Sequence, residues 1–143
     1  MSLYVDTSAL AKWYIEESDS DSFVAFIRDH PGAGISRLTV VELRCMLSHR
    51  RRNRQISAKV EGGAFELFQA DVRDGFLVVL PMNDAHFAAA SDILQKLPAV
   101  PLRTLDALHL AVAASNRARL IATADIVMAT AAKALKFDTQ LFH

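Results

Sequence analysis

Leu3-Tyr4-Val5-Asp6-Thr7-Ser8 is the stretch whose reading decides the fold of this chain. A short apolar run ends in an aspartate, two hydroxyl residues follow, and a helical pattern opens at Ala9-Leu10-Ala11. That is the pattern of a buried strand delivering a carboxylate to its C-terminal end, where the next helix starts. In open α/β sheets ligands bind at that edge, where the strand order reverses. Asp6 also suits a plainer role as a helix N-cap, accepting from an orphan backbone N–H of the first turn. The positions of the other acids bear on which role it plays.

Working outward, residues 8–16 read as a first helix and about 20–30 as a second, where Phe23, Phe26 and Ile27 repeat at helical spacing. Pro31-Gly32 ends that pattern, and a short strand is expected near 33–37. A third helix, capped by Thr39, runs to about residue 53, and a fourth, capped by Ser57, to about Asp74. Inside the fourth, Gly62 and Gly63 each cost about 1 kcal/mol relative to alanine, so a bend or a close helix contact is expected there. Phe76-Leu77-Val78-Val79-Leu80 is continuous and apolar, as in a strand covered on both faces. Asn83 or Asp84 caps a fifth helix to about Leu97, and Thr104 caps a sixth to about Ser115. Leu120–Thr123 reads as a strand, 126–135 as a last helix, and Phe137 as the opening of a short edge strand. Strands alternating with helices imply a parallel sheet with helices on both faces, in one domain spanning 1–143.

The 143 residues carry 16 basic and 16 acidic side chains, and 52% of them are hydrophobic. That suffices for one core. No apolar run reaches the roughly 18 residues of a membrane span, and no basic segment followed by an apolar one marks a signal peptide. Cys45 is the single cysteine, which excludes an internal disulfide and argues against a cysteine-based zinc site. It reads as a small core residue, and a cytoplasmic location is expected. Zero net charge argues against a protein gripping nucleic acid through a strongly positive surface. The argument lapses if several acids gather around divalent cations, because the remaining surface is then net basic.

The other acids fall in a pattern. Asp106 is the only acid in Leu105–Ala114, a helix apolar nearly all round, with Leu110 and Ala113 as its i+4 and i+7 neighbours. A carboxylate in such surroundings is costly unless paired or metal-bound, although a first-turn acid also suits the helix dipole. Glu42 has Cys45 and Met46 at i+3 and i+4, so no helical ion-pair partner follows it; a solvated glutamate is the ordinary explanation. Asp125 follows Leu120–Thr123 and precedes a helix, repeating the placement of Asp6. If the first and fourth strands are neighbours where the order reverses, Asp6 and Asp125 face one crevice. The N-terminal ends of the third and sixth helices then bring Glu42 and Asp106 to it. Four carboxylates repel unless neutralised, and Mg²⁺ or Mn²⁺ prefers all-oxygen ligands of this kind. Such ions activate water and stabilise the attacking and leaving oxygens in phosphodiester hydrolysis.

These residues resemble a known family. Tyr4-Val5-Asp6-Thr7-Ser8-Ala9-Leu10, Leu38-Thr39-Val40-Val41-Glu42-Leu43, Leu105-Asp106-Ala107-Leu108-His109-Leu110-Ala111 and Ala122-Thr123-Ala124-Asp125 are similar, in order and spacing, to the motifs of the PIN-domain nucleases. The resemblance is nearest to the VapC toxins of toxin–antitoxin modules, and it covers essentially the whole chain. It implies a strand order of 3-2-1-4-5 and Mg²⁺-dependent endoribonuclease activity. Asp6, Glu42, Asp106 and Asp125 fall on the family's acidic, metal-binding quartet, with Thr7, Ser8 and Thr123 at neighbouring polar positions. A homodimer and a cognate antitoxin are also implied. Val127 and Met128 stand where some members carry further acids, which weakens the case for a second metal.

Several features are read as non-catalytic. His109, one turn beyond Asp106, reads as a hydrogen-bonded histidine of a buried helix, and His49 is no better a base. The run Arg50-Arg51-Arg52-Asn53-Arg54 suits a helix C-terminus and equally RNA phosphates. Trp13, Tyr14, Phe23 and Phe26 offer more aromatic surface than one side of a small sheet needs, and a groove there would suit an amphipathic antitoxin helix. A haloacid-dehalogenase-type phosphatase also has an aspartate ending its first strand, but needs a second two residues on, where Ser8 stands. A phosphoacceptor domain of the receiver type needs an Asp after residues 76–80, where Pro81-Met82 stands. A catalytically silent interaction module is the non-enzymatic alternative.

Overall fold

The computed structural model describes residues 2–143. Five strands, β1 (Leu3–Val5), β2 (Ala33–Ser36), β3 (Leu77–Leu80), β4 (Leu120–Thr123) and β5 (Asp138–Leu141), form one parallel sheet in the order 3-2-1-4-5. The helices are α1 (Thr7–Tyr14), α2 (Ser20–Arg28), α3 (Arg37–Arg52), α4 (Ala58–Arg73), α5 (Asp84–Lys96), α6 (Thr104–Ser115) and α7 (Ile126–Ala134). This is the α/β architecture and strand order expected from the sequence. No helix among the described residues is long and apolar enough to cross a membrane.

β1 sits at the centre, in register with β2 at Tyr4↔Gly34 and with β4 from Leu3↔Leu120 to Val5↔Ala122. The sheet grows one way from β1 through β2 and β3 and the other way through β4 and β5, so the order reverses beside β1. Alternation along a strand splits the core in two. Leu3 and Val5 pack with Leu10, Phe23, Leu43 and Phe68 on the face covered by α1 to α4. Tyr4 faces the other way, among Leu108, Leu110, Ile121 and Met128. That flip places one phenol directly under α6.

The sheet corrects several expectations. β3 is an edge strand with β2 as its one neighbour, and Val78 is 42% exposed, so only Leu77 is buried as a doubly covered strand requires. A continuous apolar run does not distinguish edge from centre. Thr39 and Thr104 are not caps: α3 starts from Ser36 and α6 from Arg103, both in extended conformation and neither bonded through its side chain. Ser57 does cap α4, accepting from Val60 N–H at 3.1 Å. Asn83 caps α5, accepting from Ala85 N–H while His86 Nδ1 accepts from Asn83 N–H, each at 3.0 Å. Gly62 and Gly63 lie in an unbroken α4 with open space beside both, so no close contact explains them. Cys45 is exposed rather than in the core.

The four aromatic residues of α1 and α2 are used within the chain. Trp13 and Tyr14 both donate to the Asp71 carboxylate of α4, at 3.0 and 2.6 Å. Phe23 is fully buried against Phe142, with ring centroids 5.1 Å apart, and Phe26 packs on the same ring. Phe23 is buried, whereas Trp13, Tyr14 and Phe26 keep part of their surface exposed.

Candidate active site

All four singled-out acids lie at or near the C-terminal edge of the sheet. Asp6 ends β1 and Asp125 follows β4, its neighbour, while Asp106 stands in the first turn of α6 and Glu42 early in α3. Asp6 caps α1: its Oδ1 accepts from Ala9 N–H at 3.0 Å and from Ser8 Oγ at 2.8 Å, and its Oδ2 from Thr123 Oγ1 at 2.6 Å. Asp125 caps α7, its Oδ1 accepting from Val127 and Met128 N–H at 2.8 and 3.2 Å. Its own N–H donates to Thr123 Oγ1 at 3.0 Å. One buried threonine therefore ties both caps together. Ser8 Oγ adds a second tie, accepting from Ala124 N–H at 2.9 Å. The capping role and the crevice role, which compete in the sequence, coexist.

The electrostatics separate the acids. Burial pushes the Asp6 carboxyl above its ordinary 3.8, opposed by His109, Thr123, the Ala9 N–H and Ser8. Burial also raises Asp106; the charges of Asp125 and Asp6 push it further, with His109 and Arg103 acting against them. Of these three acids, Asp106 thus stands in the field of the other two. No Lys or Arg among the described residues forms an ion pair with any of them. For Glu42, burial acts upward, but the hydrogen bond and charge of His109 and the Thr7 hydroxyl outweigh it and hold the group below its ordinary 4.5.

Glu42 is neither solvated nor partnerless. Its Oε1 meets His109 Nε2 at 2.6 Å and accepts from Thr7 Oγ1 at 2.7 Å, and His109 Nδ1 meets the Tyr4 hydroxyl at 2.7 Å. The expectation of a hydrogen-bonded histidine in a buried helix holds. Its partners lie 105 and 67 residues away, beyond the reach of any local pattern.

Two clefts meet at Glu42. One, of about 550 Å³, runs past Leu102, Arg103, Thr104 and Asp106. The other, of about 420 Å³, runs past Thr7, Ser8, Lys12, Met46 and Arg50. Arg50 is paired with Glu17, which Lys12 also approaches at 3.8 Å. Arg51 pairs with Glu61 at 2.9 Å, whereas Arg52 and Arg54 are exposed with no ion pair among the described residues. The arginine run is therefore half committed to holding α3 in place.

The donor chemistry fits a hard divalent cation. Asp106 accepts no hydrogen bond from the described residues, Asp125 keeps Oδ2 free, and the charges of Asp125 and Asp6 add to burial in raising the proton affinity of Asp106. Among the described residues no group of three or more His, Cys, Asp or Glu side chains is placed to hold a metal ion together. Mg²⁺ does not need one, since it keeps several waters and takes one or two carboxylates.

The fold is an α/β domain with a parallel 3-2-1-4-5 sheet and acids gathered at or near the C-terminal edge beside its central strand. The PIN domain family model matches residues 3–134, and the chain belongs to that family. Among solved structures, it is similar to VapC20 of Mycobacterium tuberculosis, described as a sarcin–ricin loop cleaving toxin, at 18% identity and a TM-score of 0.71, covering 91% of this chain and 95% of the other. It is similar to FitAcB of Neisseria gonorrhoeae at 19% identity and a TM-score of 0.73, covering 96% and 95%. VapBC2 of Rickettsia felis, bound to a DNA fragment from its promoter, matches at 12% identity and a TM-score of 0.70 over 100% of both chains. Comparison with the curated proteins finds no match.

Proposed function

We propose that this PIN domain is a divalent-metal-dependent endoribonuclease, the toxin of a toxin–antitoxin module. The observation that carries the reading is electrostatic: Asp106 stands in the field of Asp125 and Asp6, and no Lys or Arg among the described residues is paired to any of the three. A cluster that is costly when empty has its reason in a bound Mg²⁺ or Mn²⁺. The toxins among the structural neighbours agree with it.

Asp6 and Asp106 are the principal ligands in this reading, with Asp125 and Glu42 acting directly or through water. When bound, the ion lowers the pKa of its water and neutralises charge building on the phosphate. Thr123 and Ser8 hold Asp6 in one orientation. Glu42, which His109 and Thr7 hold ionised, orients the attacking water. Arg103, which lines the cleft beside Asp106, offers positive charge to a phosphate of a single strand. The same reading places the protein in the cytoplasm, as a homodimer held inactive by a cognate antitoxin.

The test is cleavage of single-stranded RNA with Mg²⁺, with Mn²⁺ and with EDTA, beside thermal unfolding. Metal-dependent cleavage that is lost in Asp106→Asn while the variant stays folded supports the reading. Full activity in EDTA overturns it. Size and composition of the complex after co-expression with neighbouring genes test the partners: a lone monomer refutes both dimer and antitoxin.

A further inference from the structure

Glu42 is aimed by a chain of hydrogen bonds that begins on the far face of the central strand. The Tyr4 hydroxyl lies 2.7 Å from His109 Nδ1, His109 Nε2 lies 2.6 Å from Glu42 Oε1, and Thr7 Oγ1 donates to that same oxygen at 2.7 Å. A carboxylate only accepts, so Nε2 carries the proton of that bond, and the Tyr4 hydroxyl, able to donate or accept, completes the chain on Nδ1. Both donors converge on Oε1. Oε2 takes no hydrogen bond from the described residues, and Glu42 is the side chain shared by the two clefts.

The setting makes this costly as mere packing. His109 is 2% exposed and Tyr4 0%, in a cluster otherwise built of Leu, Ile, Val, Met and Ala. The buried hydroxyls of Ser36 and Thr39 lie on the phenol's side with no partner of regular geometry. An unsatisfied buried polar group costs about 1–3 kcal/mol, which apolar side chains of similar shape would avoid. We propose that His109 is a positioning residue: braced by Tyr4, it holds Oε1 of Glu42 so that Oε2 is presented to the cleft. This deepens the nuclease reading and rests on it.

Partners that orient a site carboxylate typically contribute about 10–100-fold in metal affinity or activity. In the full-length protein, His109→Leu should therefore lower kcat by about that factor with KM little changed. Mn²⁺ affinity, read by calorimetry without RNA, should fall with it. His109→Gln, whose amide keeps a donor near the Nε2 position, should recover most of both. In a Glu42→Gln background, His109→Leu should add nothing further. Tyr4→Phe breaks the chain at its far end and should show a smaller loss, again in kcat; it decides the matter if His109→Leu does not fold. A folded His109→Leu protein with unchanged kcat and Mn²⁺ affinity overturns the proposal. So does a loss that multiplies with that of Glu42→Gln, or a His109→Gln protein no better than His109→Leu. A parent protein that neither cleaves RNA nor binds Mn²⁺ refutes the nuclease reading instead, so the two failures are told apart.

Discussion

The two ends of the parallel sheet differ in what they do with polar groups. At the N-terminal end of the strands lies a cavity of about 620 Å³, larger than either cleft at Glu42 and lined by Ser2, Asp29, His30, Gly32, Arg117 and Arg119. Both arginines are exposed and neither forms an ion pair among the described residues. At the C-terminal end the clefts are smaller, but Asp6, Thr123 and His109 are nearly or wholly buried there, and the polar atoms of each are bonded. Volume is therefore a poor guide to a site in this molecule. Desolvated charge is the better one, because burying a carboxylate has a cost that open water-filled space does not impose.

Substitutions at the two ends sharpen the contrast. The largest effect is expected from Asp106→Asn, which should reduce metal-dependent cleavage by about 10²–10³-fold, the scale of losing one group that stabilises developing charge. In metal-free buffer the same variant should unfold at a higher temperature, because it removes a carboxylate repelled by Asp125 and Asp6. Retained cleavage would erase the distinction between the ends.

Next comes Thr123→Val, nearly isosteric at a fully buried position. It leaves Asp6 Oδ2 and the Asp125 N–H without their partner, and should cost about 1–3 kcal/mol in denaturant unfolding. A neutral result would mean that water replaces the hydroxyl and that this end is wetter than its burial implies.

Proton linkage gives a third comparison. Asp6 and Asp106 sit above their ordinary 3.8 in the folded chain, so their contribution to stability is fully present below that value and is lost as pH rises through the raised values. Glu42 has the opposite sign, contributing above its ordinary 4.5 and losing that contribution as pH falls through its lowered value. The stabilisation given by Mg²⁺ should accordingly grow as pH rises from about 4, read as the difference in Tm with and without the ion. Asp106→Asn should weaken that growth. The smallest effect is expected at the other end: Arg119→Ala should leave cleavage unchanged and stability within about 0.5 kcal/mol.

What the sequence made legible follows the range of each interaction. The alternation of strands with helices, the caps at Ser57 and Asn83 and the placement of Asp6 and Asp125 are local patterns, and they hold. The caps of α3 and α6 escaped because Ser36 and Arg103 are extended residues that make no side-chain capping bond to betray them. β3 was misread as doubly covered because an apolar run says nothing about which strand lies at the edge. Cys45 was misplaced because α3 leaves part of its apolar surface exposed, Val41 at 65% beside it. His109 could be read as buried from its apolar neighbours, but nothing near it in sequence pointed to Tyr4 or to Glu42. Strand alternation puts Tyr4 opposite Leu3 and Val5, but only the fold shows that α6 covers that face.

The central strand also fixes when the crevice comes into being as the chain is made. β1 is synthesised first, yet its second neighbour is β4, and Asp6 waits for a hydroxyl 117 residues downstream. Pairings of such long sequence separation form late, since the intervening chain must first be ordered. A nascent chain that has not reached Thr123 holds Asp6 and Glu42 but lacks that hydroxyl, the second cap and the fourth acid. The strand order thus acts as a clock: until β4 has left the ribosome, the acids remain scattered along an unfinished polypeptide.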